Sequence, residues 1–254
     1  MKTPIRSVLA GLAVAGMLVI SSAAVVNAVS PAAADGPAGK GVCATQAAAV
    51  KAGASIDTLR AFGDCEIARR FATLNQLNVK ISGSKVLTSS DSAALSGEVA
   101  STKSGLTALK TQIDAESSQA ALKTEVRDIA TNYRVYLLVA PKVNLVNGAD
   151  GVAAAQVSFD KISTNLTARI AAATAAGKDT TAAQADLDAM NTAVAKAAGL
   201  AQPIPAALLP LTPAQYNGGT AGPAIKSARA DLVQARGLLK SARADAQACR
   251  AALK

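Results

Sequence analysis

The 254-residue chain has no histidine and no tryptophan, and only three phenylalanines, three tyrosines and three cysteines. Without imidazole there is no His-ligated zinc or haem, no Ser-His-Asp triad and no Cys-His nucleophile pair. Most common hydrolase mechanisms are thereby excluded. Alanine takes up the composition instead, at 61 of 254 positions. It is the strongest helix former, and half the chain is apolar, enough for a sizeable core.

The N-terminus carries Lys2 and Arg6, then an apolar run from Ser7 to Ile20, then small residues ending Pro31-Ala32-Ala33-Ala34-Asp35. This order reads as a secretory signal peptide over residues 1–34. Cleavage is expected after Ala34, with Val26-Asn27-Ala28 as a second site. The alternative is an uncleaved anchor, because the apolar stretch from Val8 to Val29 could span a bilayer. Export is the expectation, to the medium or the cell surface. Losing residues 1–34 removes two cations and no acid, which lowers the net charge from +9 to +7. A basic exported chain is attracted to anionic envelope polymers, lipid headgroups or acidic partners.

Residues 35–63 are small and Gly-rich. Beyond them Gly63-Asp64 supplies a stop and an N-cap, and Ile67, Phe71, Leu74, Asn78 and Ile81 follow at helical spacing. A second helix from Ser90-Asp91 carries Leu95, Val99, Thr102, Leu106, Leu109 and Ile113 on one face. A third, past Glu116-Ser117-Ser118, carries Leu122, Val126, Ile129, Tyr133, Tyr136 and Ala140. Pro141 is expected to kink it, after which Val152, Ala155, Phe159, Ile162 and Leu166 resume the spacing up to Gly177-Lys178-Asp179. Gln119 to Ala176 thus reads as one long kinked central helix. Another helix, capped by Thr180 or Thr181, presents Ala183, Leu187, Met190, Val194 and Ala197. Residues 199–223 are punctuated by proline and glycine and read as an irregular connector.

The last helix holds an internal repeat, in which Ser227–Lys240 is echoed by Ser241–Lys254 with eight of fourteen positions identical. Its seam, Ile225, Ala228, Leu232, Ala235, Leu239, Ala242, Ala246, Cys249 and Leu253, alternates three and four and can follow a partner helix. The sequence therefore predicts an all-α fold: an elongated antiparallel helical bundle over residues 64–254, with heptad-like seams closing within one chain or between two copies.

An up-and-down course for these helices brings Cys65, at the start of the first long helix, to the end of the bundle where Cys249 finishes the last. A Cys65–Cys249 disulfide is the expected pairing, allowed by an oxidising compartment. Cys43–Cys65 is the alternative, with Cys43–Cys249, free thiols and intermolecular pairing behind it.

Little else suggests chemistry. Asp114/Glu116 and Asp186/Asp188 diverge around a helix and cannot converge on one atom. Asp64 and Glu66 suit a helix start. Gly36–Gly41 and Gly177–Thr180 lack the spacing of a phosphate loop. No catalytic residue, cofactor or metal site is expected. Two binding regions stand out. The stretch Tyr133–Val146 is apolar nearly all the way round and must be enclosed, by its own bundle or by a protein partner or lipid-like ligand, with Tyr133, Tyr136, Leu137 and Pro141 as contacts. Lys142 and Asn144 interrupt it too soon for a membrane span. Arg229, Arg236 and Arg243 line one side of the last helix and could meet a polyanion. Without interleaved aromatics, nucleic acid is not the expected partner.

The strings Gly63-Asp64-Cys65-Glu66-Ile67, Arg70-Phe71-Ala72-Thr73-Leu74, Ser104-Gly105-Leu106-Thr107-Ala108-Leu109-Lys110, Tyr133–Val139 and the Ala-Arg-Ala-Asp repeat ending at Cys249-Arg250 together resemble a group of exported, alanine-rich helical proteins of high-GC Gram-positive bacteria. The likeness runs over residues 55–254. It implies export and helicity, and it brings no activity, cofactor or catalytic residue. The resulting expectation is an exported structural or interaction protein at or outside the envelope. A carrier of an apolar ligand and a basic binder of envelope polymers are the alternatives.

Overall fold

A computed structural model describes residues 41–254, and the leader with its cleavage after Ala34 lies outside the described residues. Helix α1 is Ala44–Ala52, α2 Ile56–Gly83, α3 Ser89–Ala115 and α4 Gln119–Thr131. A π-helical turn, Val135–Val139, leads into α5, Ala140–Ala175, which is followed by α6, Thr181–Ala201. Two short helices, α7 (Ile204–Leu208) and α8 (Pro213–Asn217), precede α9, Ala221–Ala252. The fold is all-α, with no strand among the described residues.

Local chemistry sets the helix starts. Ser55 accepts the Thr58 N–H at 3.2 Å while Thr58 Oγ1 accepts the Ser55 N–H at 2.8 Å, a reciprocal capping box that opens α2. Thr88 caps α3 through the Asp91 N–H, and Thr212 with Gln215 forms a second box at α8. The expected start at Gly63-Asp64 is therefore corrected to Ile56. Gly63 lies buried inside α2, where a side chain would come within 3.3 Å of Val126. Its small size serves the close approach of Val126 and Ile113 and not a helix stop.

Packing follows the apolar spacing. All six expected residues of α3 are buried, as are all five of α6. In α9 the seven residues Ile225, Ala228, Leu232, Ala235, Ala242, Ala246 and Cys249 are buried. The larger core joins α2, α3, α4, the π turn, the first part of α5, α7 and the first half of α9. The smaller one joins Phe159, Leu166 and Ile170 of α5, Ala183 to Val194 of α6, and Ala242, Ala246 and Cys249 of α9.

This division corrects the expected disulfide. Helix α6 begins in the smaller core and ends in the larger, whereas α9 begins in the larger and ends in the smaller. The connector between them is anchored by buried Ile204 and Leu208, so the chain reverses there. Cys249 is carried into the smaller core as a buried free thiol, and Cys65 pairs with Cys43 instead, 22 residues earlier, with the Cα atoms 5.8 Å apart.

The expected kink is also displaced. The helical run breaks after Thr131, where Arg134 adopts a left-handed conformation with φ 45°. Ala140 N–H then bonds the Val135 carbonyl across the wide π turn. Pro141 follows in the first turn of α5, where its missing N–H costs little. One long kinked helix is thus replaced by α4 and α5 with a strained joint between them. No described helix is long and apolar enough to cross a membrane.

Candidate functional site

Chemistry concentrates at that joint. Non-glycine residues in the left-handed region are strained, and single π turns often sit at functional positions. Arg134 is held from the connector: its Nε donates to Asn217 Oδ1 at 2.6 Å and its guanidinium lies 5.3 Å from the centre of the Tyr216 ring. Asn217 Nδ2 donates to the Thr131 carbonyl at 2.9 Å. Helix α8 therefore spans the break from both sides.

Lys142, one turn beyond the π segment, is 1 % exposed. A charge so deeply buried needs every donor satisfied. Its Nζ donates to Glu98 Oε1 at 2.8 Å and to the carbonyls of Leu209 and Leu211 at 3.2 and 2.5 Å. These three bonds use the full donor capacity of an ammonium and tie α3, α5 and the connector together. Glu98 is 23 % exposed at its side chain, and its second oxygen has no protein partner among the described residues. Burial raises the Glu98 carboxyl above its ordinary range, partly offset by Lys142.

A cavity of about 400 Å³ lies over this pair. Ala94, Glu98, Ser101 and Thr102 of α3 form one wall, Asn132, Tyr133 and Val139 another, and residues 209–213 of the connector the third. Tyr133 is seated by a missing side chain on α3: a Cβ on Gly105 would fall 2.5 Å from Tyr133 Cε1. Burial, with Asp128 nearby, raises the Tyr133 hydroxyl. Because Lys142 has no donor left, the cavity's charged group free to bond a ligand is an acceptor, Glu98 Oε2, set among the hydroxyls of Ser101, Thr102 and Tyr133 and the Asn132 amide. A small, mostly apolar ligand with a hydroxyl or amine group matches that lining.

Of the four contact residues expected from sequence, only Tyr133 lines the cavity. The Tyr136 ring instead packs 4.8 and 5.2 Å beneath the Arg69 and Arg70 guanidinium carbons. Leu137 is 47 % exposed and Pro141 is half-buried, neither of them in the lining. The rest of Tyr133–Val146 is enclosed by the larger core, as its all-round apolar character requires. Glu98, Lys142, Arg134 and Asn217 were missed. Lys142 did leave a signal, since a lone cation in an apolar helix demands an internal partner.

Of the six acids named in the sequence, all but Asp186 have hydrogen-bonding partners among the described residues. Lys110 Nζ donates to Asp64 at 2.6 Å and to Asp114 at 3.0 Å. Asp188 accepts from Gln184, and Glu66 accepts from Arg69 and Arg70. Asp64 and Glu66 thus act in mid-helix contacts and do not cap α2. Among the three arginines expected to meet polyanions, Arg229 and Arg243 are exposed while Arg236 is half-buried. No cluster of three metal-ligating side chains occurs among the described residues. Comparison with known proteins finds no family model, no curated relative and no solved structure similar to this chain.

Proposed function

We propose that this chain is an exported, non-catalytic structural or interaction protein, built as an antiparallel helical bundle with heptad-like seams and acting at or outside the cell envelope. The observation that carries export is the Cys43–Cys65 disulfide, which suits an oxidising compartment, beside a leader-like N-terminus. The engagement of Asp64, Asp114, Glu66 and Asp188 by neighbouring side chains favours a scaffold over an acid–base catalyst. Expression of the full chain in a high-GC Gram-positive host should yield protein in the envelope or medium beginning at Asp35. Reduced protein retained in the cytoplasm would overturn the reading.

The cavity beside Tyr133 favours a second reading, a carrier of a small apolar ligand bearing one hydrogen-bond donor. Native mass spectrometry of protein purified from such a host should then show a bound small molecule that is lost in Gly105→Phe, whose ring would displace Tyr133. An unliganded mass for the wild-type protein argues for the scaffold alone.

A further inference from the structure

A second charged locus lies where α2, α5 and α9 meet, on residues distinct from the cavity lining. Asn144 and Gly148 are one turn apart on α5 and so share a face. Lys80 of α2 donates its Nζ to Asn144 Oδ1 at 2.5 Å. Arg236 of α9 crosses the same face at Gly148, where a Cβ would fall 2.9 Å from Arg236 Nη2 and 2.5 Å from Leu232 Cδ2. The absent side chain is what lets the guanidinium sit so close to α5. Two cations from different helices are thereby brought to one turn of a third.

Like charges brought together disfavour one another, and an anion between them relieves the repulsion. Neither Lys80 nor Arg236 has a carboxylate within 4.0 Å among the described residues, as is true of most cations of this chain, but these two share one turn of α5. Arg236 is half-buried and Lys80 is exposed; desolvation by neighbouring atoms together with Arg236 lowers the Lys80 ammonium, and burial lowers the Arg236 guanidinium. The Asn144 amide, with its oxygen taken by Lys80, keeps its NH₂ as a further donor. The locus thus offers a planar guanidinium fork, a point charge and a neutral donor, with the Asn144 oxygen turned to Lys80 and no carboxylate to repel an anion.

We propose that Lys80, Asn144 and Arg236 form a site for a phosphate group. Two facing positive charges are balanced by a dianion, which a carboxylate cannot supply, and the mix of guanidinium fork and ammonium matches tetrahedral oxygens. The phosphate belongs either to the free ion or to a phosphate-bearing polymer, whose chain ends present the same dianionic group while its internal phosphates carry one charge each. The site does not depend on the carrier reading, since it shares no residue with the cavity.

The test uses the full-length, oxidised protein at fixed ionic strength and pH 7.5. Titration with inorganic phosphate, followed by calorimetry and thermal melting, should show saturable binding and a raised melting temperature. Lys80→Met and Arg236→Met should each weaken binding about tenfold, the effect of losing one charge-assisted hydrogen bond. Lys80→Arg should retain it, and the exposed-arginine variants Arg229→Gln and Arg243→Gln should bind as wild type. Linear polyphosphate that binds no better than its terminal groups identifies the free ion as ligand, and a marked gain with chain length identifies a polymer. Equal binding of acetate, or wild-type affinity in both methionine variants, overturns the proposal. So does an absence of saturable binding.

Discussion

The Tyr133 ring occupies the space that a side chain at residue 105 would need, with Cε1 only 2.5 Å from where a Gly105 Cβ would sit. Gly97, two turns earlier on the same helix, has no atom within 4 Å of its corresponding position. The two glycines should respond oppositely to one substitution. Gly97→Ala gains helix propensity and should stabilise by about 0.5–1 kcal/mol. Gly105→Ala gains the same propensity but overpacks against the ring, for a net loss of about 1 kcal/mol. Thermal melting of the two variants checks this, and a rise for both would mean that Tyr133 moves aside at no cost.

Lys142 should be among the costliest positions to neutralise. Lys142→Met leaves Glu98 and the carbonyls of Leu209 and Leu211 without their donor. Breaking one side of a buried pair costs about 3 kcal/mol, or roughly 6–12 °C in a domain of this size. Adding Glu98→Leu should recover part of the loss, because it removes the stranded carboxylate.

The same pair sets a pH dependence. The Glu98 carboxyl is raised in the folded protein, chiefly by burial. The native state then holds this proton more tightly than the unfolded chain does. Its contribution is full below the ordinary value of 4.5 and is lost as pH rises through the folded value. The melting temperature of wild type relative to Glu98→Gln should accordingly fall as pH increases above 4.5. A flat difference would show that the carboxyl is not shifted.

Helix α1 fully buries no residue and only Val50 of it packs against the core, so its attachment depends largely on the Cys43–Cys65 bond. Closing a loop of 22 residues is worth at most about 3.4 kcal/mol by chain entropy. Reduction should release residues 44–52 to fast amide exchange and leave α3 protected. A non-reduced tryptic map should contain the Cys43–Cys65 peptide, and a Cys65–Cys249 peptide would contradict the chain course described above.

Cys249 should be chemically silent in the folded protein. It is fully buried, and its thiol is pushed upward by burial and by Asp186. Less thiolate and no access both slow alkylation. Iodoacetamide at pH 8 should label it only after denaturation.

The helices were readable where one face alone decides burial. Leu95 to Ile113 in α3 and Ala183 to Ala197 in α6 needed only the three-and-four spacing, because each helix meets its neighbours along a single stripe. The joint was not readable. Pro141 is a conspicuous helix breaker, yet the left-handed residue is Arg134, held there by Asn217 and Tyr216 from 83 and 82 positions away. The reversal before α9 was hidden for a related reason. Proline-rich residues 199–223 suggested a loose crossing, whereas Ile204 and Leu208 pack into the core and Lys142 grips two of the connector's carbonyls. Site residues such as Glu98 carry no periodic mark, since their meaning comes from partners distant in the chain.

The 22-residue separation of the bonded cysteines has a consequence for biogenesis. A polypeptide emerging from its N-terminal side presents Cys43 and Cys65 to an oxidant well before Cys249 is available. The native bridge can close with no competing partner in reach, and the late thiol is then shielded by the helices it joins. Chain order alone thus favours the native pairing of the three sulfurs over either pairing with Cys249.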